Sequence, residues 1–536
     1  MISSLHDLHL RIFHSLPLLF IAFIAALTPC LRAGEPVIHE MPGKASPRFA
    51  VRADGRQLPV ASFKDVHYAH FSMSDAVEIA VTALDGPVKV ARVQPTAYGL
   101  KAAIEGVVVR FTVPRPMALV VQLDFREKLF LFADPPVDPV PATAVNAAAL
   151  GAKGDGKTDN TAVLQKAIDD LPAGGTLFIP AGHFRSGSLR LRSHMRLHLA
   201  AGALLQASDD HTRIAPIPGW EATIAFLTGA SLERLSITGA GTIDGNGYVV
   251  RKAREAALGI RKQAGRLLYL VNSKDVTIRG VTLRDSYSWN VNLMRCDRVR
   301  IAWMKVLSDV RLSNHDGLDV VGCSDVEVSD CFLFTEDDGL SPKAAEGREV
   351  SENHVYRNLV IWAHKANGIR VGSESRCRVM RNFLFEDIHL LNGACGIRLD
   401  TFEGAAYEDF TFRRVWMEDF LQTYDARYER DRERPFGSTD RSHAISFLVL
   451  RQKGSPLGAI RHITFEDVHW NDPRITARFE VPDAIVKERK EQAAAPLISG
   501  IIFRQCTVAG KPVTAGADIG LRVNDGIVSA DVTFEP

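Results

Sequence analysis

The runs CDRVRIAWMKV (296–306) and CSDVEVSDCFL (323–333) decide the fold. Cys296-Asp-Arg-Val aligns with Cys323-Ser-Asp-Val, 27 positions on, and in both the apolar residues alternate with polar ones. Alternation means strands with one face inward, because successive side chains point to opposite sides. Similar runs return at intervals that are mostly between 20 and 33 positions, with three wider gaps: SLERLSITG (231–239), SKDVTIRGVTL (273–283), YRNLVIW (356–362), NFLFEDIHL (382–390), YEDFTFRRVWM (407–417), IRHITFEDVHW (460–470) and GIIFRQCTV (500–508). A period of that length predicts one coil per repeat, hence a right-handed parallel β-helix. Cys296 and Cys323 then stack on successive coils, a packing role.

Working toward the N-terminus, NAAALGAKGDGKTDNTAVLQKAIDDLPAGG (146–175) holds apolar residues at helical spacing: Ala162, Leu164, Ala167, Ile168 and Leu171. Asp159 or Asn160 is the expected cap. A lone amphipathic helix before a run of strands predicts a cap over the open end of the solenoid. Upstream of it, PPVDPVPATAV (135–145) carries four prolines and reads as a linker. Before the linker stand short β-rich runs divided by Gly, Pro and Asp, including RFAVRADG, AVEIAVTAL, VVVRFTVP, ALVVQLDF and KLFLFADP. Their spacing predicts a β-sandwich over residues 35–138, with the β-helix over 146–536.

Residues 1–33 have a basic start (Arg11), the apolar run LPLLFIAFIAAL (16–27) and Ala33 before Gly34. This is the pattern of a secretory signal peptide, and the run is short for a membrane span. A secreted or periplasmic protein is expected, with no membrane partner after cleavage. Lys and Arg number 64 against 63 Asp and Glu, which leaves no net field for nucleic acid. A monomer is expected. Among Cys296, Cys323, Cys331, Cys377, Cys395 and Cys506 no CxxC pair occurs, so no metal site is expected of them. Most read as buried small residues, with one disulfide open. The charged insertions at 424–435 and 486–492 read as solvated loops.

The candidate chemistry lies in NHDGLD (314–319) and EDDGLSPK (336–343). Asp316 and Asp337 are 21 positions apart, about one coil, which puts them on neighbouring rungs about 4.8 Å apart along the axis. Asp338 joins them if the backbone bends, and Gly339 and Pro342 favour a bend. Three close carboxyl groups repel, which keeps one protonated near neutral pH. Hydrolysis of a glycosidic bond needs that division, one acid for the leaving oxygen and one base for water. Asp319 and Glu336 stand nearby, and turn carboxylates or a calcium site are the competing readings.

NHDGLD followed by EDDGLSPK resembles the Asn-Thr-Asp and Asp-Asp-Cys motifs of polygalacturonase-type hydrolases, glycoside hydrolase family 28, with a pectin-lyase-like β-helix. GAKGDGKTDNTAVLQKAID (151–169), GGTLFIPAGHFRSGSLRLRS (174–193), GTIDGNG (241–247) and DSYSWNVNL (285–293) resemble further family marks in the family's order. The resemblance implies an inverting, cofactor-free hydrolase of a pectic polysaccharide, with Asp337 as general acid and Asp316 and Asp338 holding the water. It also implies substrate contacts at Asn314, Asn367, Arg370 and Arg398, with Asp400 beside them.

Two departures follow. The family's Gly-His-Gly is Ala366-Asn367-Gly368 here, and its Arg-Ile-Lys is Arg398-Leu399-Asp400. Asn367 cannot change charge, and Asp400 reverses a cation that would hold a uronate. Arg370, His315 and Lys343 are candidates to compensate. Dextranase-like hydrolases, which also join an N-terminal sandwich to a three-aspartate β-helix, provide the alternative of a neutral glycan. A non-catalytic glycan-binding β-helix and a polysaccharide lyase are the rivals in class.

Overall fold

The computed structural model describes residues 34–124, 127–259, 264–344, 347–418, 443–491, 496–523 and 531–536. The leader-like stretch 1–33 and the insertion at 424–435 lie outside them. The other insertion differs from expectation: residues 483–491 form the helix Asp483–Glu491, with Ile485 and Val486 buried in the core.

From residue 145 onward the chain winds into stacked coils. One sheet of 22 strands and one of 12 run the length of this part, with nearly all neighbours parallel and paired in sequence order. Each middle coil gives two short strands to the large sheet and one to the smaller, as in Lys274–Arg279, Thr282–Arg284 and Trp289–Met294. In later coils the two large-sheet strands merge into one of 12 to 14 residues, for example Val350–Ala363 and Ala406–Met417.

The period works because like sits on like. Leu268, Val291, Leu318, Leu340, Ile369, Ile397 and Ile445 are register partners on successive coils. Phe385, Phe412, Phe465, Phe503 and Phe534 stack with centroid separations of 4.5, 5.2, 4.9 and 5.3 Å. Those separations follow the spacing between paired strands, about 4.8 Å, so each ring covers the next. Asp297 pairs with Ser324, so Cys296 and Cys323 are on adjacent coils, with the Cys296 N–H 3.3 Å from the Cys323 sulfur. All six cysteines from Cys296 to Cys506 are free and buried.

The helix Thr161–Asp170 buries Leu164, Ala167 and Ile168 in the core of the first coils. Its first N–H is accepted by the Asp159 carboxylate at 3.0 Å. Asn160 is spent elsewhere, its carbonyl on the Lys153 N–H at 2.7 Å and its amide on the Lys153, Thr158 and Arg185 carbonyls.

Residues 37–134 form two further sheets, of seven and five strands, around a separate core that includes Phe49, Val81, Val109, Leu119 and Leu131. The strand Val66–Ser72 is buried at all of its positions because both of its faces are covered. Ala69 and Phe71 enter that core, whereas Val66 and Tyr68 join Phe63, Phe130 and Phe132 against Phe332, Phe334, Val360 and Trp362 of the β-helix. Each buried aromatic stabilises by roughly 1.5–3 kcal/mol relative to exposure, enough in sum to hold the two parts together. Polar ties pin the same interface. Arg284 donates to the Tyr68 hydroxyl at 2.7 Å and to Asp244 at 2.6 Å, and Lys305 pairs with Asp134. Glu418 accepts from Arg92, Gln94 and the Thr96 N–H.

Candidate active site

Three coils meet where the smaller sheet begins. The Asn290 N–H donates to the Asp316 carbonyl at 3.0 Å, that of Gly317 to Asp338 at 2.9 Å, and that of Gly339 to Asn367 at 2.9 Å. Asp316, Asp338 and Asn367 therefore stack. The pairing of Leu318 with Leu340 sets this register at 22 positions. The one-coil partner of Asp316 is thus Asp338, a correction to the expected pairing with Asp337, which stands one residue to the side.

Glycine follows each of the three stacked residues, for a steric reason. A Cβ on Gly317 would lie 2.4 Å from the Gly339 carbonyl oxygen, and one on Gly339 would lie 2.3 Å from the Ile361 side chain. Only glycine lets the coils approach this closely. The loop ahead of Asp316 is held from outside by the helix Gly247–Leu258, whose buried Arg251 donates to the Ser313 carbonyl at 2.9 Å.

Asp316, Asp337 and Asp338 each present an oxygen within 4.8 Å of the others. Among the described residues they are also a group of three carboxylates close enough together to hold a metal ion. Asp316 and Asp338 are buried and Asp337 is half-buried. Burial first, then the charges of Asp338 and Glu336, push the Asp337 carboxyl up to about 8. Asp316 is raised well above the usual range by burial, Asp319 and Asp337. Asp338 has dedicated donors: the Asn367 side-chain amide at 2.5 Å, the Asn367 N–H at 3.2 Å and Arg370 at 3.3 Å. The trio therefore divides into two groups that favour the protonated form and one held by donors suited to a carboxylate.

Among the compensating residues considered above, Lys343 is buried and committed. It sits 2.9 Å from Asp319, 3.2 Å from Glu374 and 3.8 Å from Asp316, with its ammonium 3.8 Å from the centroid of the Trp289 ring. The Arg266 guanidinium lies 3.8 Å from the same centroid. This Arg266–Trp289–Lys343–Asp319 group was not identified from sequence, although the register that stacks Leu318 on Leu340 also pairs Asp319 with Ser341, two positions from Lys343. Lys343 and Arg266 oppose the rise of the Asp319 carboxyl, which burial still carries to about 6. His315 is fully buried and burial holds its imidazole near 3, so it offers no positive charge to a uronate.

The other residues singled out above fall in distinct places. Asn314 is exposed, with a left-handed backbone at φ 62°. Asn367 is buried and turned toward Asp338. Arg370 and Arg398 are register partners on adjacent coils and half-buried. Asp400, expected to repel substrate, is fully buried. One of its oxygens receives Arg370 Nη2 at 3.0 Å and Arg398 Nε at 2.7 Å. It joins the two guanidinium groups and is closed off from solvent.

Residues 173–424 match Glycosyl hydrolases family 28, and residues 144–198 match Rhamnogalacturonase A/epimerase, pectate lyase-like. The exo-poly-alpha-D-galacturonosidase of Dickeya chrysanthemi is 37% identical over 310 residues, covering 47% of this chain and 51% of that protein. The chain spans about half the length of the curated relatives it matches. Among solved structures, the polygalacturonase from Erwinia carotovora ssp. carotovora aligns with a TM-score of 0.54 at 19% identity, covering 75% of this chain and 98% of that one. Dex49A from Penicillium minioluteum aligns with a TM-score of 0.59 at 12% identity, covering 93% and 96%. At those identities the structural likeness speaks to fold alone. The match to glycosyl hydrolase family 28 thus spans the coils that carry Asp316, Asp337 and Asp338, and there this chain is similar to polygalacturonase-type proteins.

Proposed function

We propose that this protein is an exported hydrolase of α-glycosidic bonds in a galacturonan-type polysaccharide. The observation that carries the reading is the trio of carboxyl groups on adjoining coils, with Asp337 held near 8 and so protonated at neutral pH. In the proposed step Asp337 gives its proton to the leaving glycosidic oxygen. Asp338, fixed by Asn367 and Arg370, orients a water with Asp316 and accepts its proton as the new C–O bond forms. The product then carries inverted configuration. Carboxyl groups in inverting pairs are usually about 6.5–9.5 Å apart. The trio is tighter than that by its nearest oxygens, so the family likeness and not the separation supports inversion.

Arg370 and Arg398 favour a uronate over a neutral sugar. Asp400 engages Nε of both and Nη2 of Arg370, which leaves both Nη groups of Arg398 for a substrate carboxylate. In this reading residues 1–33 direct export to the periplasm or beyond. Residues 35–138 are a sandwich fixed to the catalytic β-helix of 146–536, the helix Thr161–Asp170 caps that β-helix, and the protein acts as a monomer. Among the described residues no helix is long and apolar enough to cross a membrane.

The test is a substrate panel of polygalacturonate, rhamnogalacturonan and dextran, read as reducing ends and as absorbance of unsaturated uronate, with and without chelator. Chelator-resistant release of reducing ends from polygalacturonate alone supports the proposal. Release from dextran alone overturns the uronate assignment, and new ultraviolet absorbance that chelator abolishes overturns hydrolysis.

A further inference from the structure

The line of outward arginines does not end at Arg398. Register pairs Arg370 with Arg398, Arg398 with Ser446, Ser446 with Arg478, and Arg478 with Arg522. These positions form one column along the smaller sheet, on the coils that follow the aspartate trio. Beside it runs a second column in which His443 pairs with Cys395 and Thr476.

Two side chains here are buried without partners. His443 is 7% exposed and Ser446 1%, yet neither imidazole nitrogen of His443 nor the Ser446 hydroxyl has a hydrogen-bond partner. A buried polar group left unsatisfied costs about 1–3 kcal/mol, a cost that a bound ligand removes. Burial, followed by the charges of Arg478, Arg522 and Arg398, holds the His443 imidazole down near 4. It is therefore neutral near pH 7, with one N–H to donate and one nitrogen to accept, which suits a sugar hydroxyl. The cations around it are only partly neutralised. Arg478 faces Glu480 at 3.2 Å, and Arg522 is exposed with no ion pair among the described residues.

We propose that His443, Ser446, Arg478 and Arg522 form a second carboxylate-binding subsite for a polyuronate chain, separate from the Arg370–Arg398 pair. The inference rests on the galacturonan reading above. The subsite lies three to five coils past Asp338, roughly 14–24 Å along the axis at about 4.8 Å per coil. A polyuronate repeats its negative charge along its length, so one chain seated at the aspartates presents a later carboxylate to Arg478 and Arg522. Each guanidinium takes a carboxylate by paired N–H donors, while His443 and Ser446 engage ring hydroxyls. A short oligomer spanning only the trio and Arg398 does not reach these residues.

The test uses the full chain in the Asp337→Asn background, so that binding is read without turnover. Calorimetry compares this protein with its Arg478→Gln/Arg522→Gln and His443→Ala derivatives. The probes are oligogalacturonates of about two and about eight units and the methyl ester of the longer one. The expected result is at least about tenfold weaker binding of the long oligomer in both derivatives, with the short oligomer unaffected in both and the ester weakened by His443→Ala but not by the arginine replacements. An Arg478→Lys derivative should recover part of the loss, and melting curves check that each derivative is folded. Equal affinity for the long oligomer in the parent and the arginine derivative overturns the subsite and leaves the galacturonan reading standing. If the parent binds no oligogalacturonate while the unmutated protein cleaves only a neutral glycan, the reading fails and the subsite fails with it.

Discussion

Asp338 lies one coil from Asp316, its carbonyl accepting the Gly317 N–H at 2.9 Å, and its carboxylate is gripped by Asn367 on the next coil. The three residues share one column, joined coil to coil by backbone hydrogen bonds. Asp337 stands outside the column, with only its carboxyl turned to the others. Asp337→Asn should therefore spare the fold and remove the proposed proton donor. We expect kcat for polygalacturonate to fall about 10²–10⁴-fold, the usual weight of one general acid, with an unchanged circular dichroism spectrum. Full activity in this variant would remove Asp337 from the mechanism.

The same carboxyl groups make stability depend on pH with a definite sign. Asp337 and Asp319 are raised from 3.8 to about 8 and about 6, and Asp316 is raised as well. A group raised in the folded state gives its full stabilisation below its unfolded pKa and loses it as pH climbs through the folded value. The melting temperature should fall between about pH 4 and pH 8. Because Asp337→Asn cannot ionise there, its melting temperature should gain on that of the unmutated protein as pH rises from 5 to 9. A difference that stays constant with pH would show that Asp337 is not raised. Activity should decline above pH about 8 as the acid form of Asp337 is lost.

Asn367 stands where the motif it resembles has a histidine, and its contacts show what it does there. Its side-chain amide and backbone N–H both donate to one Asp338 oxygen, a task that needs no change of charge. Asn367→Ala removes the side-chain donor and leaves a buried oxygen with the backbone N–H alone. We expect kcat to drop about 10–100-fold with KM nearly constant, measured by initial rates on polygalacturonate, because the loss is in orienting the base. A rise in KM at constant kcat would assign Asn367 to substrate binding instead.

Much of this was legible in the sequence, and what was not has identifiable causes. The coil period could be read because every coil repeats its inward residues, as Leu318, Leu340 and Ile369 do. The partner of Asp316 could not, because Asp337 and Asp338 are adjacent and a one-residue choice of register needs the pairing of Leu318 with Leu340. Asp400 misled for a different reason. Arg398 and Asp400 are two positions apart on one strand, and alternation alone puts both on the same, outward face. The aspartate is short and both arginines are long, so their guanidinium groups close over it and it ends fully buried.

That burial yields a prediction against simple restoration of the family pattern. Asp400→Lys would place a third cation under two arginines in a space that water does not reach. Breaking a buried pair costs about 3–5 kcal/mol, and reversing the charge costs more. The variant should be insoluble or melt far below the parent, and should not gain affinity for polygalacturonate. A soluble Asp400→Lys protein with a lower KM would show that the position faces substrate.

The contact between the two parts of the chain yields the last prediction. Phe332, Phe334 and Trp362 lie on the outer face of the β-helix and are covered by Phe130, Phe132 and Tyr68. The separations of Phe130 from Phe332 and Phe334 are 4.8 and 5.1 Å, direct ring contact. Removing residues 34–138 uncovers this apolar patch and strands Lys305, which loses its Asp134 partner. The β-helix alone should aggregate when expressed without that segment. Replacing Phe332, Phe334 and Trp362 by Ser, Thr and Gln, together with Lys305→Met, should restore a soluble monomer by size-exclusion chromatography. Soluble, monomeric β-helix without those replacements would show that the aromatic contact is dispensable. Their failure to rescue solubility would point to a deeper requirement for the N-terminal sheets in forming the coils.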